Sequence, residues 1–491
     1  MFDLEMKGGF NFNHLKDNKW LWLSFYAIIL SVVIFRNISN SGIDHEEAGQ
    51  FWMAKGLNHF SDLGEPDGNI SELINNNRIF NLDPGGFTLL LRFWTGIFGN
   101  SIVSLRFLPF LFLLISAVTF RSLLNLFSFN KWIVNLSPLL FLLSKDLISF
   151  GFTVRAYSFE ICGIILSLYF LSQSVLYYKN RHLIYLFMIL SIFAFSRYGF
   201  FIEIGACLVL LLASYIKRLP ILFNNKIVVS GFLILGISLS IIYYFSLQYQ
   251  LKNTNFHGPE YAYLKTLKGQ ASFKDGLEIF FANFTKLRII PFSILILIVI
   301  FGIFIKKIPQ FGKYKILLSY FLIYTILAIF LSIVGLYPWD VTSRNSLPFQ
   351  FFSILSICIL LDWSHQFISL HVMNFIALGL IIIVTSISFI RGYIRYDYSS
   401  LMYEGGENSK DTWVDWMIYP VLKYNIKYGT LKNFKDLHYP SLSNDTFKKN
   451  YKYLVIDMEP KNKEASLKRY GIENYKVLKN VENDYLIEIL K

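Results

Sequence analysis

Apolar residues along this chain run in long, nearly uninterrupted stretches parted by short polar turns. They do not follow the 2- or 3.6-residue alternation of half-buried soluble elements. A helix rises about 1.5 Å per residue, so about 20 apolar residues cross the roughly 30 Å hydrocarbon layer of a bilayer. Runs of this kind occupy 20–36, 101–124, 132–149, 156–177, 182–196, 198–216, 226–247, 289–305, 316–335, 347–362 and 372–391, which predicts about eleven spans. The pair within 182–216 is the shortest. The run Trp20–Phe35 is followed by Arg36-Asn37-Ile38. That stretch offers no small-residue cleavage site, so the first run is expected to be an uncleaved span.

Positive charge orients the spans. Lys16 and Lys19 precede the first run. Arg121/Lys131, Lys179/Arg181, Lys217/Arg218/Lys226 and Lys306/Lys307/Lys313/Lys315 then fall in every second loop. Basic loops stay cytoplasmic, so the N-terminus is expected inside and the C-terminus outside. Residues 1–391 then form a transmembrane domain with long outer loops at 37–100 and 248–288, and 392–491 form an outer polar tail. In the tail, Tyr453–Ile456 and Tyr485–Ile489 alternate as strands do and 412–427 reads as a helix, which predicts a small α/β domain with a solvated lysine face. The fold class expected is therefore an all-α polytopic membrane protein with a small C-terminal α/β domain.

Composition agrees. The chain is 54% hydrophobic and 16% charged, against about 25% charged for a soluble domain. One soluble core of this size would split into domains before absorbing so much Phe, Ile and Leu. The net charge of +13 is spread over short loops and the tail, with no basic run interleaved with aromatics, so nucleic acid is not an expected partner. Cytoplasmic loops and anionic lipid account for it. Cys162, Cys207 and Cys358 all lie in apolar runs and read as small core residues.

The first outer loop carries the candidate chemistry. Asp44-His45-Glu46-Glu47-Ala48 opens a segment running to Phe60 in which Ala48, Phe51 and Trp52 share one helical face, as an interfacial helix requires. Asp44 and Glu47 stand three apart and can point the same way. Acids clustered above a membrane can take a proton from a hydroxyl or amine, or hold a divalent cation. They equally suit the positive end of a helix dipole. No His/Cys/Asp spacing of metal-ligand type appears, and His45 and His257 read as bystanders. A second flat helix is expected to start with Asp83 as N-cap and Pro84 at its first position, and to stop at Gly99. Phe87, Leu90, Leu91, Trp94, Ile97 and Phe98 would line its apolar face, opposite Thr88, Arg92 and Thr95.

Charge within the spans is lopsided. Arg106, Lys145, Asp146, Arg155, Glu160, Arg197, Glu203, Arg288 and Arg344 all map to outer ends. Charge in a membrane is costly and marks function, and guanidinium groups beside acids suit a phosphate or pyrophosphate headgroup. Each arginine alone also reads as a snorkelling anchor. Polar breaks at the membrane midplane and repeated halves, which a transporter predicts, are not seen.

At these residues the chain resembles membrane glycosyltransferases of the GT-C fold, in the branch of protein mannosyltransferases and aminoarabinose transferases (glycosyltransferase families 39 and 83). That branch has an acid pair followed by Ala in its first outer loop, matched by His45-Glu46-Glu47-Ala48. Its Pro-Pro-Leu element, Phe-Gly and Arg-Leu are matched by Asp83-Pro84-Gly85-Gly86-Phe87, Phe98-Gly99 and Arg106-Phe107. Its Arg-x-Tyr and late Arg with Pro four residues on are matched by Arg155-Ala156-Tyr157-Ser158 and by Arg344 with Pro348. The resemblance covers about 1–360. The chain departs from it in carrying Glu46 for the usual Asp, Gly85 for the second Pro, and Asp83 for a Lys or His, which moves phosphate contact onto the arginines.

The resemblance implies inverting transfer of a sugar from a polyprenyl-phosphate donor to a protein, lipid or glycan acceptor at the outer face of a bacterial inner membrane. Glu46 or Asp44, with Glu47 beside them, would supply the general base. Arg155 and Arg344, with Arg197, Arg288 and Tyr157, would hold the donor phosphate, and Asp83, Pro84, Arg106 and Asp146 would shape the cleft. The competing readings are a flippase of lipid-linked saccharides and a polymerase or ligase with a diphosphate donor.

Overall fold

The computed structural model describes residues 19–38, 42–58, 61, 65–81, 83–215, 226–252, 313–333, 347–364, 379, 412–414, 418–428, 452–457, 467, 472, 474–481 and 484–490. The expected span at 289–305 lies outside them, as do Arg288, Arg344, His257 and nearly all of 253–288 and 372–391.

Helices dominate the described residues. α1 (Lys19–Ile38) leads into three short helices, α2 (His45–Ala54), α3 (Ile70–Phe80) and α4 (Gly86–Phe98). The bundle continues with α5 (Ile102–Leu126), α6 (Lys131–Leu142), α7 (Lys145–Gly151), α8 (Tyr157–Tyr177), α9 (Asn180–Phe193) and α10 (Phe200–Ser214). α11 (Lys226–Ile242) runs through a π-helical turn, Tyr243–Leu247, into α12 (Gln248–Lys252), and α13 (Lys315–Ile333) and α14 (Leu347–Ser364) complete it. Among the described residues, Ile102–Leu126, Tyr157–Tyr177 and Val228–Gln250 are long and apolar enough to cross a membrane by length and composition. α4, α6, α9 and α10 are apolar but shorter, at 12–15 residues. The run expected as one span at 132–149 is broken into α6 and α7 at Leu143-Ser144.

α5 and α8 form the centre, flanked by α6 and α9, and α13 and α14 close one side. The two ends of the bundle differ. At one, Asp362 accepts from the Asn130 amide at 2.6 Å, from Lys313 at 2.5 Å and from the Tyr314 hydroxyl, fastening three segments. At the other end sit α2, α3 and α4.

The helices of segment 37–100 are laid out differently from the sequence expectation. α4 starts at Gly86, and its N-cap is Gly85 at φ +93°, not Asp83. Glycine takes that left-handed conformation without strain, and proline, fixed near −65°, cannot take it. A Cβ on Gly86 would lie 2.5 Å from Cβ of Phe195, so only glycine lets α4 seat against the turn between α9 and α10. The apolar face of α4 also divides. Phe87, Leu91, Thr88 and Thr95 are buried, whereas Leu89, Phe93 and Ile97 (75% exposed) point outward. Thr88 turns inward because partners wait there: Gln50 donates to it at 2.6 Å, and it donates to Asn77 at 2.7 Å, whereas Thr95 bonds back to the Arg92 carbonyl of its own helix at 3.0 Å.

α2 is covered rather than interfacial. Ala48, Phe51 and Trp52 are fully buried, and the tail caps them with α15 (Tyr419–Lys427). The expected helix 412–427 is in fact a strand, β1 (Thr412–Val414), followed by α15. β1 pairs parallel with β2 (Tyr453–Asp457), while β3 (Tyr475–Val481) and β4 (Asp484–Ile489) pair antiparallel in the order β1-β2-β4-β3. Leu454, Tyr485 and Ile487 on alternate positions pack with Leu467 and Ile472 into a small separate core.

Candidate active site

Asp44, Glu46 and Glu47 enter the structure in three different roles. Asp44 is the N-cap of α2: its Oδ1 accepts from the Glu47 amide at 2.8 Å, and its own amide donates to Glu47 Oε2 at 3.2 Å, a complete capping box. Glu47 is sealed in. Arg106 grips it through Nε to Oε1 at 3.3 Å and Nη2 to Oε2 at 2.9 Å, and the Val154 amide adds a bond to Oε1 at 3.2 Å. Both side chains of this pair are 0% exposed, and Arg106 also donates to the Gly42 carbonyl. Each Glu47 oxygen thus carries two donors, and the carboxylate is shut off from solvent.

Glu46 is different. Its side chain is 42% exposed. The Tyr157 hydroxyl donates to Oε2 at 3.0 Å, and Nε of Arg155 lies 3.8 Å from the same oxygen. Helix periodicity separates the two side chains: adjacent residues on α2 diverge by about 100°, so Glu47 faces the bundle while Glu46 is partly exposed.

Arg197, in the turn between α9 and α10, completes the cluster. It donates through Nη1 to Glu160 at 3.0 Å and through Nε to Asp83 at 3.3 Å. Its guanidinium carbon stands 4.9 Å from the centroid of the Tyr157 ring. Asp83 is held in turn, because its carbonyl accepts from Asn77 at 2.9 Å, and Gln250 on α12 donates to the neighbouring Asn81 carbonyl at 2.7 Å. Pro84, half-buried, directs the chain from Asp83 into the left-handed Gly85. Three carboxylates (Glu46, Asp83, Glu160) and two guanidiniums (Arg155, Arg197) therefore meet around one tyrosine, on segments 37–114 residues apart. The side chain of Asp146, at the start of α7, lies outside the described residues.

Several contributors were not assigned roles from the sequence. Glu160 was visible only as one of many charged residues, and Gln50, Asn77, Thr88 and Gln250 carry no pattern of their own. α3 had a legible start, since Asn69 and Glu72 form a capping box with bonds of 2.6 and 3.0 Å. Among the described residues, no group of three or more His, Cys, Asp and Glu side chains is placed to hold a metal ion.

No protein-family model matches the chain, and no curated protein matches it. Among solved structures, the crystal structure of ArnT from Cupriavidus metallidurans bound to undecaprenyl phosphate is similar to 95% of this chain and 97% of its own, at 10% identity and a TM-score of 0.49.

Proposed function

We propose that this protein is a membrane glycosyltransferase that moves a sugar, with inversion, from a polyprenyl-phosphate donor to an acceptor at the outer face. The observation that carries this reading is the contrast between Glu46 and Glu47: one carboxylate is saturated and buried, and its neighbour stands half-open between Arg155 and the Arg197 cluster.

Glu46 is the base. It takes the proton from the acceptor hydroxyl or amine as that atom attacks the anomeric carbon, and the bond from that carbon to the phosphate oxygen breaks on the opposite side. The electron pair leaves with the lipid phosphate, whose charge Arg155 and Arg197 oppose. Arg288 and Arg344, outside the described residues, are the sequence's further candidates for the same task. The exposed apolar edge of α4 and the faces of α11 sit against lipid, so the donor headgroup enters from the membrane side.

The test is a reconstituted assay: purified protein in lipid nanodiscs, a panel of polyprenyl-phosphate sugars, and mass analysis of the lipid and acceptor products. Release of polyprenyl monophosphate with a glycosylated acceptor, lost in E46Q, is the expected result. Transbilayer movement of the lipid-linked sugar without bond cleavage, retained in E46Q, would replace this reading with a flippase. Activity only with diphosphate-linked glycans would replace it with a polymerase or ligase.

A further inference from the structure

Helix α2, which presents Glu46, is gripped by a part of the chain more than 350 residues away. The indole Nε1 of Trp52 donates to the Pro420 carbonyl at 3.0 Å. Phe51 meets the rings of Tyr424 and Tyr428 edge-on at 5.1 and 5.4 Å. The Tyr424 hydroxyl reaches the Asn100 carbonyl at 2.6 Å, at the junction of α4 and α5. Most telling is Lys423. Its side chain is fully buried, its Nζ donates to the Ser61 carbonyl at 2.5 Å, and it stands 4.3 Å from the centroid of the Trp52 ring. The sequence suggested solvated tail lysines; this one is a core residue.

A buried ammonium is a poor way to glue two surfaces together, because desolvating a charge costs as much as its contacts return or more. A leucine would pack at least as well. What the ammonium supplies is direction: one carbonyl and one aromatic face, both on the α2 side, fix where the two helices meet. The N-terminal end of α2 is tethered at a single residue, Glu47, by Arg106 and Val154, which leaves its other end to be held by the tail helix. Tyr424 is in electrostatic reach of that pair: burial and the Glu47 carboxylate raise the pKa of its phenol, against a lowering by Arg106. The tail helix therefore grips the C-terminal half of α2, at Phe51 and Trp52.

We infer that α15 is a positioning element of the site: Lys423, acting through Trp52 and the Ser61 backbone, holds α2 at the rotation and height that bring Glu46 to Tyr157 and Arg155. This rests on the reading of Glu46 as the working carboxylate, but its test reads the placement of Glu46 and not sugar transfer. A chain that transfers no sugar can still pass it.

The experiment labels carboxylates in the full-length protein in nanodiscs, using a water-soluble carbodiimide with a small amine and peptide mass spectrometry. Glu46 is compared with Glu65, which is exposed in the same molecule. The groups facing Glu46 are Tyr157 and Arg155; on its own segment, Asp44 and Glu47 are bonded to each other and Glu47 to Arg106. In K423M the Glu46-to-Glu65 labelling ratio is expected to rise about fivefold, the population change that loss of one hydrogen bond allows. K423R, which keeps a charged donor, is expected to restore the wild-type ratio. An unchanged ratio in K423M overturns the inference. An equal rise in both variants also overturns it, since that is general loosening and not placement. Should K423M fail to accumulate, Y424F is read in its place: a rise of about twofold is expected from the lost contact to Asn100, and no rise overturns the inference.

Discussion

The Tyr157 hydroxyl and the Glu46 carboxylate, 111 residues apart in the chain, meet at 3.0 Å, and the same tyrosine ring carries the Arg197 guanidinium on its face at 4.9 Å. One side chain thus links the proposed base to the proposed phosphate-binding cation. Y157F keeps the ring and its cation contact and removes only the donor to Glu46. Transfer is expected to fall about tenfold, the factor set by roughly one hydrogen bond to a charged group. Donor affinity is expected to stay constant, because Arg197 is untouched. Steady-state kinetics that separate kcat from KM check this.

The neighbouring carboxylates are expected to fail in opposite ways. E46Q should lose about a hundred- to ten-thousand-fold in transfer, the range of a missing general base, with normal yield and melting temperature. E47Q or R106M should instead lose about 3–5 kcal/mol of stability, because each leaves a fully buried partner charge uncompensated. Thermal unfolding in detergent alongside the transfer assay distinguishes the two. Equal melting losses for E46Q and E47Q would contradict the division of roles.

Arg197 holds two acids, so its removal leaves Asp83 and Glu160 facing each other without a cation. R197M is expected to destabilise by about 2–5 kcal/mol. The triple variant with D83N and E160Q should regain most of that stability without regaining transfer. If it recovered transfer as well, Arg197 would be purely structural.

The seat of α4 makes a steric prediction. G86A drives its Cβ to 2.5 Å from Phe195 Cβ and 2.6 Å from the Phe195 carbonyl oxygen, an overlap worth about 1–3 kcal/mol. G85A places a side chain at φ +93°, at a cost of about 1–2 kcal/mol. Both should lower the melting temperature, and G86A should lower transfer further, since it pushes Asp83 away from Arg197. D44A, which loses only a cap, should cost about 1 kcal/mol and leave transfer largely intact.

Much of this protein was written in local pattern. Among the described residues, most apolar runs located a helix to within a few residues, as 156–177 against Tyr157–Tyr177 and 347–362 against Leu347–Ser364, while 132–149 proved to be two helices. The alternation in Tyr453–Ile456 and Tyr485–Ile489 located two strands of the tail sheet. Polarity is a property of each residue and survives without neighbours, so such features can be read one segment at a time. The same holds for the capping acids of α2, whose spacing was visible although its meaning was not.

The three-dimensional arrangement decided everything that depends on which way a side chain turns. Asp44, Glu46 and Glu47 are chemically alike and nearly adjacent, yet Asp44, in extended backbone, caps the helix, and the turn of about 100° between the other two sends Glu47 into the protein and leaves Glu46 partly exposed. Asp83 looked like a cap and became an ion-pair partner because a left-handed Gly85 delays the helix. Lys423 looked solvated and is buried because a distant carbonyl and an indole receive it. Sequence records what a residue is able to do. Burial and partners, contributed by segments far away in the chain, determine what it does.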